Sequence, residues 1–224
     1  MDMTHQDLIK LLTKETNKQK LTYGQLRYLF REVRKLTNTT PTKQPKQIFA
    51  LPTHEELTKF YSTTTPLHKL IFKTLEGTGL RISELCNLEL KDIDFTNNRI
   101  FVHQGKGNKD RYTYFGNNLK SQLQVYLINK KQRYLFESTR CTKFSPRTIQ
   151  HFCKLYVTKA KLTKRFTVHT LRHVWNTYLA ENGISTEHRA YLAGHSDLSS
   201  QEVYTHITAG GIKDKLIGIL DKGV

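Results

Sequence analysis

One interval of the chain, residues 92–115, interrupts a pattern of apolar residues that otherwise recurs at helical spacing, and it most constrains the fold. Three short runs within it, residues 92–95, 99–104 and 111–115, have the length and the side chains of strands. Thr-Asn-Asn joins the first two runs, and a glycine-containing turn at residues 105–110 joins the last two. The sequence therefore predicts a mainly helical domain with one small three-stranded antiparallel sheet.

Helical spacing of apolar residues predicts the elements on both sides of this sheet. Thr53, followed three residues later by Glu56, has the pattern of a capping box and predicts a helix start. The other expected helices cover roughly 6–14, 23–35, 66–77, 82–88, 118–131, 146–159, 170–181, 187–192, 200–206 and 212–220. A polar stretch with two prolines at 37–46 is interpreted as a linker, although an ordered surface loop fits it equally well. We therefore expect a short helical N-terminal segment, residues 1–50, and a larger domain, residues 51–224.

The chain is strongly basic, with 36 Lys and Arg residues against 19 Asp and Glu and a formal net charge of +17. A polyanion would offset this self-repulsion and release counterions on binding, so nucleic acid is the favoured partner; a solvated basic surface is the alternative. No apolar run of about 18 residues is present, so we expect no membrane span. The N-terminus lacks an apolar signal core, and the three cysteines lack metal-like pairing. A cytoplasmic, nucleoid-associated protein is expected.

Two basic features lie next to glycines. Arg81 follows the break Gly77-Thr-Gly79 at the start of an amphipathic helix, where the macrodipole disfavours a cation and a role in anion binding is one explanation. Lys106 and Lys109 lie in the turn at 105–110, whose flexible backbone can bring a lysine to a phosphate. Each has an ordinary alternative, since surface arginines and solvated turns are common. Neither decides a function alone.

The segment His169-Thr-Leu-Arg-His173 places two histidines and Arg172 within one helical turn. Histidines at this spacing occur in zinc-binding helices, but Thr170 stands where a metalloprotease needs its glutamate, and no third ligand is evident. A His–Arg pair directed at a phosphate is chemically better, because Arg binds two oxygens through its fork and His exchanges a proton near neutral pH. We therefore predict no metal site.

His195, which follows Gly194, and Tyr204, nine residues further on, complete a set of reactive side chains. Because the chain has 11 tyrosines, Tyr204 is a candidate only because the other reactive side chains occur with it. Two arginines can hold the non-bridging oxygens of a phosphodiester while an acid and a base move protons. A phenolate is a good nucleophile, and its phosphotyrosyl ester keeps the energy of the phosphodiester bond. Such chemistry requires no metal and no other cofactor.

Five motifs, in this order, resemble those of the tyrosine recombinase/integrase family, with Xer-type recombinases and phage or transposon integrases nearest in character. They are T-G-L-R-I-S-E-L, G-K-G-N-K-D-R, H-T-L-R-H, L-A-G-H-S-D-L-S-S and V-Y-T-H-I, and the resemblance runs from Leu51 to the C-terminus. It implies the tyrosine recombinase catalytic-domain fold, that of DNA breaking–rejoining enzymes. The implied activity is site-specific recombination of double-stranded DNA through a 3′-phosphotyrosyl intermediate and a Holliday junction.

The resemblance also implies a role for each residue that matches a motif. Arg81 and Arg172 would grip the scissile phosphate, and Glu84 would support the site. Lys106 would be the general acid for the leaving 5′ oxygen, with Lys109 as the less favoured alternative, and Lys109 and Arg111 would contact the DNA. His169 would be the general base or proton relay, and His195 would hydrogen-bond the phosphate. Tyr204 would be the nucleophile.

A quaternary arrangement is implied as well. An apolar stripe in helix 212–220 consists of Ile212, Leu216, Ile217 and Leu220. In the family such a tail packs into a neighbouring subunit of a homo-tetramer on DNA; packing on its own domain is the alternative. Family members usually carry a longer DNA-clamping domain, so residues 1–50 are expected to be a truncated or minimal version. Type IB topoisomerase-like nicking and religation, or non-catalytic regulation by DNA binding, remain the alternative functions.

Overall fold

A computed structural model of the chain describes residues 4–39, 50–103, 110–194 and 212–223. The chain divides into two compact units, residues 1–48 and 49–224. The smaller unit contains helices α1 (His5–Lys18) and α2 (Tyr23–Leu36), and a capping box starts each of them. No residue of α1 or α2 is buried.

The larger unit is mainly helical, as the sequence predicts. Its helices within the described residues are α3 (His54–Ser62), α4 (Pro66–Thr78), α5 (Ile82–Asn87), α6 (Asn117–Leu127), α7 (Pro146–Lys159), α8 (Val168–Glu181), α9 (Thr186–Ala193) and α10 (Ile212–Asp221). The predicted capping box at the start of α3 is confirmed, because Thr53 and Glu56 exchange backbone–side-chain hydrogen bonds. None of the helices in the described ranges is long and apolar enough to cross a membrane.

A three-stranded antiparallel sheet follows a short 3₁₀ helix, Leu90–Asp92. Its strands β1 (Ile93–Asp94), β2 (Arg99–Val102) and β3 (Arg111–Tyr114) lie in chain order, so the predicted sheet is confirmed. Ile100 and its partner Thr113 are fully buried, and the Thr113 hydroxyl donates a hydrogen bond to the Thr78 carbonyl at the end of α4. This contact fixes the sheet beside the turn that carries Arg81.

Three predicted helices differ from the observed ones by two residues or more at one end. The helix expected at 6–14 extends over His5–Lys18. The helix expected at 118–131 ends at Leu127, because Ile128 leaves the helical region and Asn129 has a φ of 60°. The helix expected from 170 begins at Val168, because the Thr167 amide donates to the Thr170 hydroxyl and starts the helix earlier. The helix expected at 200–206 lies outside the described residues.

Helix α10 completes the smaller of two hydrophobic clusters. Leu216, Ile219 and Leu220 are buried there with Trp175 and other residues of the larger unit. The Tyr178 hydroxyl donates to the Ile219 carbonyl over 3.1 Å. In the single chain the C-terminal stripe is thus covered by its own domain, which is the alternative arrangement.

Candidate catalytic site

Arg81 stands at the N-terminus of α5 because a glycine turn redirects the chain there. Gly79 ends α4 with a φ of 63°, in the left-handed region that favours glycine. Two residues later the Arg81 amide donates to Glu84 Oε2, and its Nη1 donates to Glu84 Oε1, each over 2.7 Å. Arg81 is therefore held by a carboxylate within the site and is not an ordinary surface arginine.

Arg111, at the start of β3, is 4% exposed. Its Nη1 and Nη2 donate to the two oxygens of Glu84 over 2.9 and 2.8 Å, and its Nε donates to the Leu192 carbonyl over 2.9 Å. A buried charge needs such partners, and here the guanidinium donors bind protein acceptors. The DNA contact of Arg111 therefore stays a prediction, and the described hydrogen bonds of its side chain support the site.

Glu84 is shared by two arginines. Burial alone would raise the pKa of its carboxyl, but the hydrogen bonds and charge of Arg111, joined by the bonds from Arg81, outweigh burial and lower the pKa below 4.5. Glu84 therefore stays ionised at neutral pH, which fits the supporting role that its motif implies.

Arg172 lies in the second turn of α8. Its Nη1 donates to the Gly79 carbonyl and its Nη2 to the Ala193 carbonyl. Burial, together with repulsion from Arg81 and Arg111, lowers the pKa of the Arg172 guanidinium to about 10, although the charge of Glu84 opposes this shift. Arg172 is still protonated at neutral pH. Three guanidiniums thus surround one carboxylate, which leaves an excess of positive charge suited to an anion.

Successive carbonyls at the end of α9 accept hydrogen bonds from all three arginines. Leu192 accepts from Arg111, Ala193 from Arg172, and Gly194 from Arg81 over 2.8 Å. The C-terminal end of a helix carries partial negative charge, so these carbonyls hold cations in place without neutralising them. The arrangement brings Arg81 and Arg172 to the same short segment and can present both to a phosphate.

His169 is exposed in the first turn of α8, three residues before Arg172 on the same helix. It lines an open cleft of about 710 Å³ together with His173, Lys154 and Arg165. Residues three apart on a helix are neighbours, so His169 can act next to a group that Arg172 holds. Within the described part of the chain, no three His, Cys, Asp or Glu side chains are grouped to hold a metal ion.

Four predicted site residues, Lys106, Lys109, His195 and Tyr204, lie outside the described residues. Sequence reasoning missed the supporting role of Arg111 and the carbonyls of α9. Strand alternation contained a signal for the first, because Arg111 and the buried Thr113 are two residues apart and face the same side of β3. No sequence signal points to carbonyl acceptors, because every residue has one.

The chain is similar to known recombinases in sequence. A family profile described as the phage integrase family matches residues 43–210. The tyrosine recombinase XerA of Thermococcus onnurineus is 39% identical over 176 residues, 75% of this chain and 62% of the relative. The tyrosine recombinase XerC of Oceanobacillus iheyensis is 36% identical over 176 residues, 71% of this chain and 57% of the relative. The chain thus spans about three fifths of the length of these curated relatives.

Solved structures share the fold. A crystal structure of XerA recombinase superimposes with a TM-score of 0.62 at 25% identity, covering 95% of this chain and 81% of the other. A lambda integrase dimer bound to a COC′ core site gives 0.62 at 20% identity, covering 90% and 81%. The predicted fold class, a mainly helical catalytic domain with a small antiparallel sheet, is confirmed.

Proposed function

The chain belongs to the phage integrase family, and from this premise we propose that it is a site-specific DNA recombinase that cleaves and rejoins DNA through a 3′-phosphotyrosyl intermediate. The observation that carries the proposal is the convergence of Arg81 and Arg172 on the end of α9, with more positive than negative charge around them. Two guanidiniums so held match the two non-bridging oxygens of a phosphodiester.

In the proposed reaction the Tyr204 hydroxyl attacks the scissile phosphorus. The new bond joins phosphorus to the tyrosine oxygen, and the bond to the 5′ oxygen breaks. His169 takes the phenolic proton, directly or by relay, and Lys106 gives a proton to the departing 5′ oxygen. His195 hydrogen-bonds the phosphate. A 5′ hydroxyl from another strand reverses the step, and repeated exchange passes through a Holliday junction.

The arginines would exchange partners when DNA binds. Phosphate oxygens are charged acceptors and bind guanidinium more strongly than neutral carbonyls do, so Arg172 would trade the Gly79 carbonyl for the phosphate and keep its bond to the Ala193 carbonyl. Arg81 would keep its bond to Glu84 and present its other nitrogen, which now contacts Gly194.

We further propose that the partner is a double-stranded recombination site at the nucleoid and that four copies assemble on two such sites. Solved relatives of the same fold include a Tn1549 transposon integrase in complex with circular intermediate DNA and XerH bound to a palindromic difH substrate. Lys109 would contact the DNA backbone next to Lys106. In the tetramer, α10 would leave its own domain and pack on a neighbour.

Covalent capture tests the proposal. The full chain is incubated with randomised suicide duplexes, and DNA that remains attached in SDS is sequenced to identify the site. Wild-type protein is expected to form the adduct, and Tyr204→Phe to bind the same duplex without forming it. Tyr134→Phe is the matched control, because its ring contacts with Arg133 and Lys143 need no hydroxyl. An undiminished adduct in Tyr204→Phe would contradict the assignment, and relaxation of supercoils by a monomer on any sequence would favour the topoisomerase-like alternative.

A further inference from the structure

The buried guanidinium of Arg111 joins three elements of the site. We propose that Arg111 is a positioning residue, whose bonds to Glu84 and to the end of α9 keep Arg81 and Arg172 directed at the scissile phosphate. The inference rests on the proposed function, since that phosphate is its substrate. It assigns a purpose to a charged side chain that is 4% exposed.

The planar fork of Arg111 uses its three nitrogens on two partners. Two of them bind both oxygens of Glu84, 27 residues away in the sequence, and the third binds the Leu192 carbonyl, 81 residues away. Gly194, with a φ of 67°, lets the guanidinium lie close, because a Cβ there would be 2.9 Å from Arg111 Nη1. This geometry requires Arg at position 111, since a lysine ammonium cannot bind both carboxylate oxygens in a fixed plane.

Arg111 acts on Arg81 through the carboxylate that they share. Glu84 Oε1 accepts from Nη1 of both arginines, and Glu84 Oε2 accepts from the Arg81 amide and from Arg111 Nη2. Without Arg111 the carboxylate loses two of these four bonds and is free to turn. Its charge would then fall on Arg81 alone and draw that guanidinium away from a phosphate.

Arg111 acts on Arg172 through the backbone of α9. The Leu192 carbonyl that it binds is adjacent to the Ala193 carbonyl bound by Arg172 and two residues before the Gly194 carbonyl bound by Arg81. Anchoring the first of these carbonyls therefore fixes the position of the next two.

A purely structural ion pair is the competing explanation, and the charge of the phosphate separates the two. A methylphosphonate at the scissile position replaces one anionic oxygen by a methyl group, so less negative charge has to be held by the arginines. If Arg111 positions Arg81 and Arg172, its loss matters much more on the native phosphate than on the methylphosphonate. General damage to the fold would slow the reaction on both substrates alike.

The test compares Arg111→Lys and Arg111→Met with wild-type protein in single-turnover adduct formation on both substrates. Arg99→Met is the matched control, because Arg99 lies on the adjacent strand and also pairs with a carboxylate, that of Asp94. On the native phosphate we expect both Arg111 variants to lose on the order of 100-fold in rate, the effect of misplacing catalytic groups by about 1 Å, with DNA affinity unchanged. On the methylphosphonate, the loss of rate relative to wild-type protein should be roughly tenfold smaller, or less still. Rates like those of Arg99→Met, or equal losses on both substrates, would overturn the proposal.

A second measurement keeps this inference separate from the proposed function. If the wild type forms no adduct on any duplex, the proposed function fails. The positioning role is then decided in the free protein by NMR of the arginine side-chain N–H groups. The role is supported if the Arg81 N–H signals become averaged, as for a side chain that moves, in Arg111→Lys and stay separate in Arg99→Met. Unchanged Arg81 signals in both variants refute it.

Discussion

Replacing Gly79 by alanine is expected to destabilise the larger unit strongly, for two additive reasons. Gly79 has a φ of 63°, and a Cβ in this left-handed region costs roughly 1–2 kcal/mol. The added Cβ would also lie 2.5 Å from Cδ2 of Trp175, whose ring is 1% exposed and cannot move without disturbing its neighbours. Overpacking of this kind costs typically about 1–3 kcal/mol. Gly79→Ala should therefore lower the free energy of unfolding by about 2–5 kcal/mol.

Urea unfolding followed by far-UV circular dichroism measures this loss. Gly218→Ala in α10 is the matched control, because nothing lies within 4 Å of the added Cβ and its backbone is helical. The control should be stabilised by roughly 0.5–1 kcal/mol, since alanine has less backbone freedom to lose than glycine. In a protein that already carries Trp175→Leu, Gly79→Ala should lower the free energy of unfolding only by the backbone part of the cost, because the steric contact is gone. If Gly79→Ala unfolds within about 0.5 kcal/mol of the wild type, the reasoning is refuted.

Two further predictions concern the core. Leu216→Ala should lower the free energy of unfolding by about 2–5 kcal/mol and loosen α10. The fluorescence emission of Trp175, the one tryptophan of the sequence, should then shift to the red. Leu155→Ala, at an exposed position, is the control, and an unshifted Leu216→Ala spectrum would show that α10 does not cover Trp175. Glu76 is 1% exposed, and burial raises the pKa of its carboxyl above 4.5 although Lys73 opposes this. The contribution of Glu76 to the free energy of unfolding is therefore full below pH 4.5 and is lost as pH rises through the folded pKa. In urea titrations over a series of pH values, Glu76→Gln should show a smaller fall of this free energy with pH than the wild type. Parallel profiles for the two proteins would contradict this.

Local signals account for what the sequence predicted correctly. The capping box of Thr53 and Glu56 needs residues only three apart, and the strand order follows from short connections between neighbouring runs. The true environment of Arg111 depends on partners 27 and 81 residues away, so its position beside two lysines in a basic motif indicated DNA instead. In the same way, the tight contact of Gly79 with Trp175 exists only after α4 and α8 have packed.

Arg172 shows how a cationic site can be kept ready for an anion. Within the described residues its hydrogen bonds go to neutral carbonyls, those of Gly79 and Ala193, whereas Arg81 and Arg111 share the carboxylate of Glu84. Burial and the charge of Arg81 lower the Arg172 pKa to about 10, so a bound phosphate would relieve the repulsion and raise the pKa again. A second carboxylate in place of the carbonyls would hold Arg172 more tightly but would also compete with the phosphate. Carbonyl acceptors at the end of a helix avoid that competition, because they orient the guanidinium and still leave its charge available to DNA.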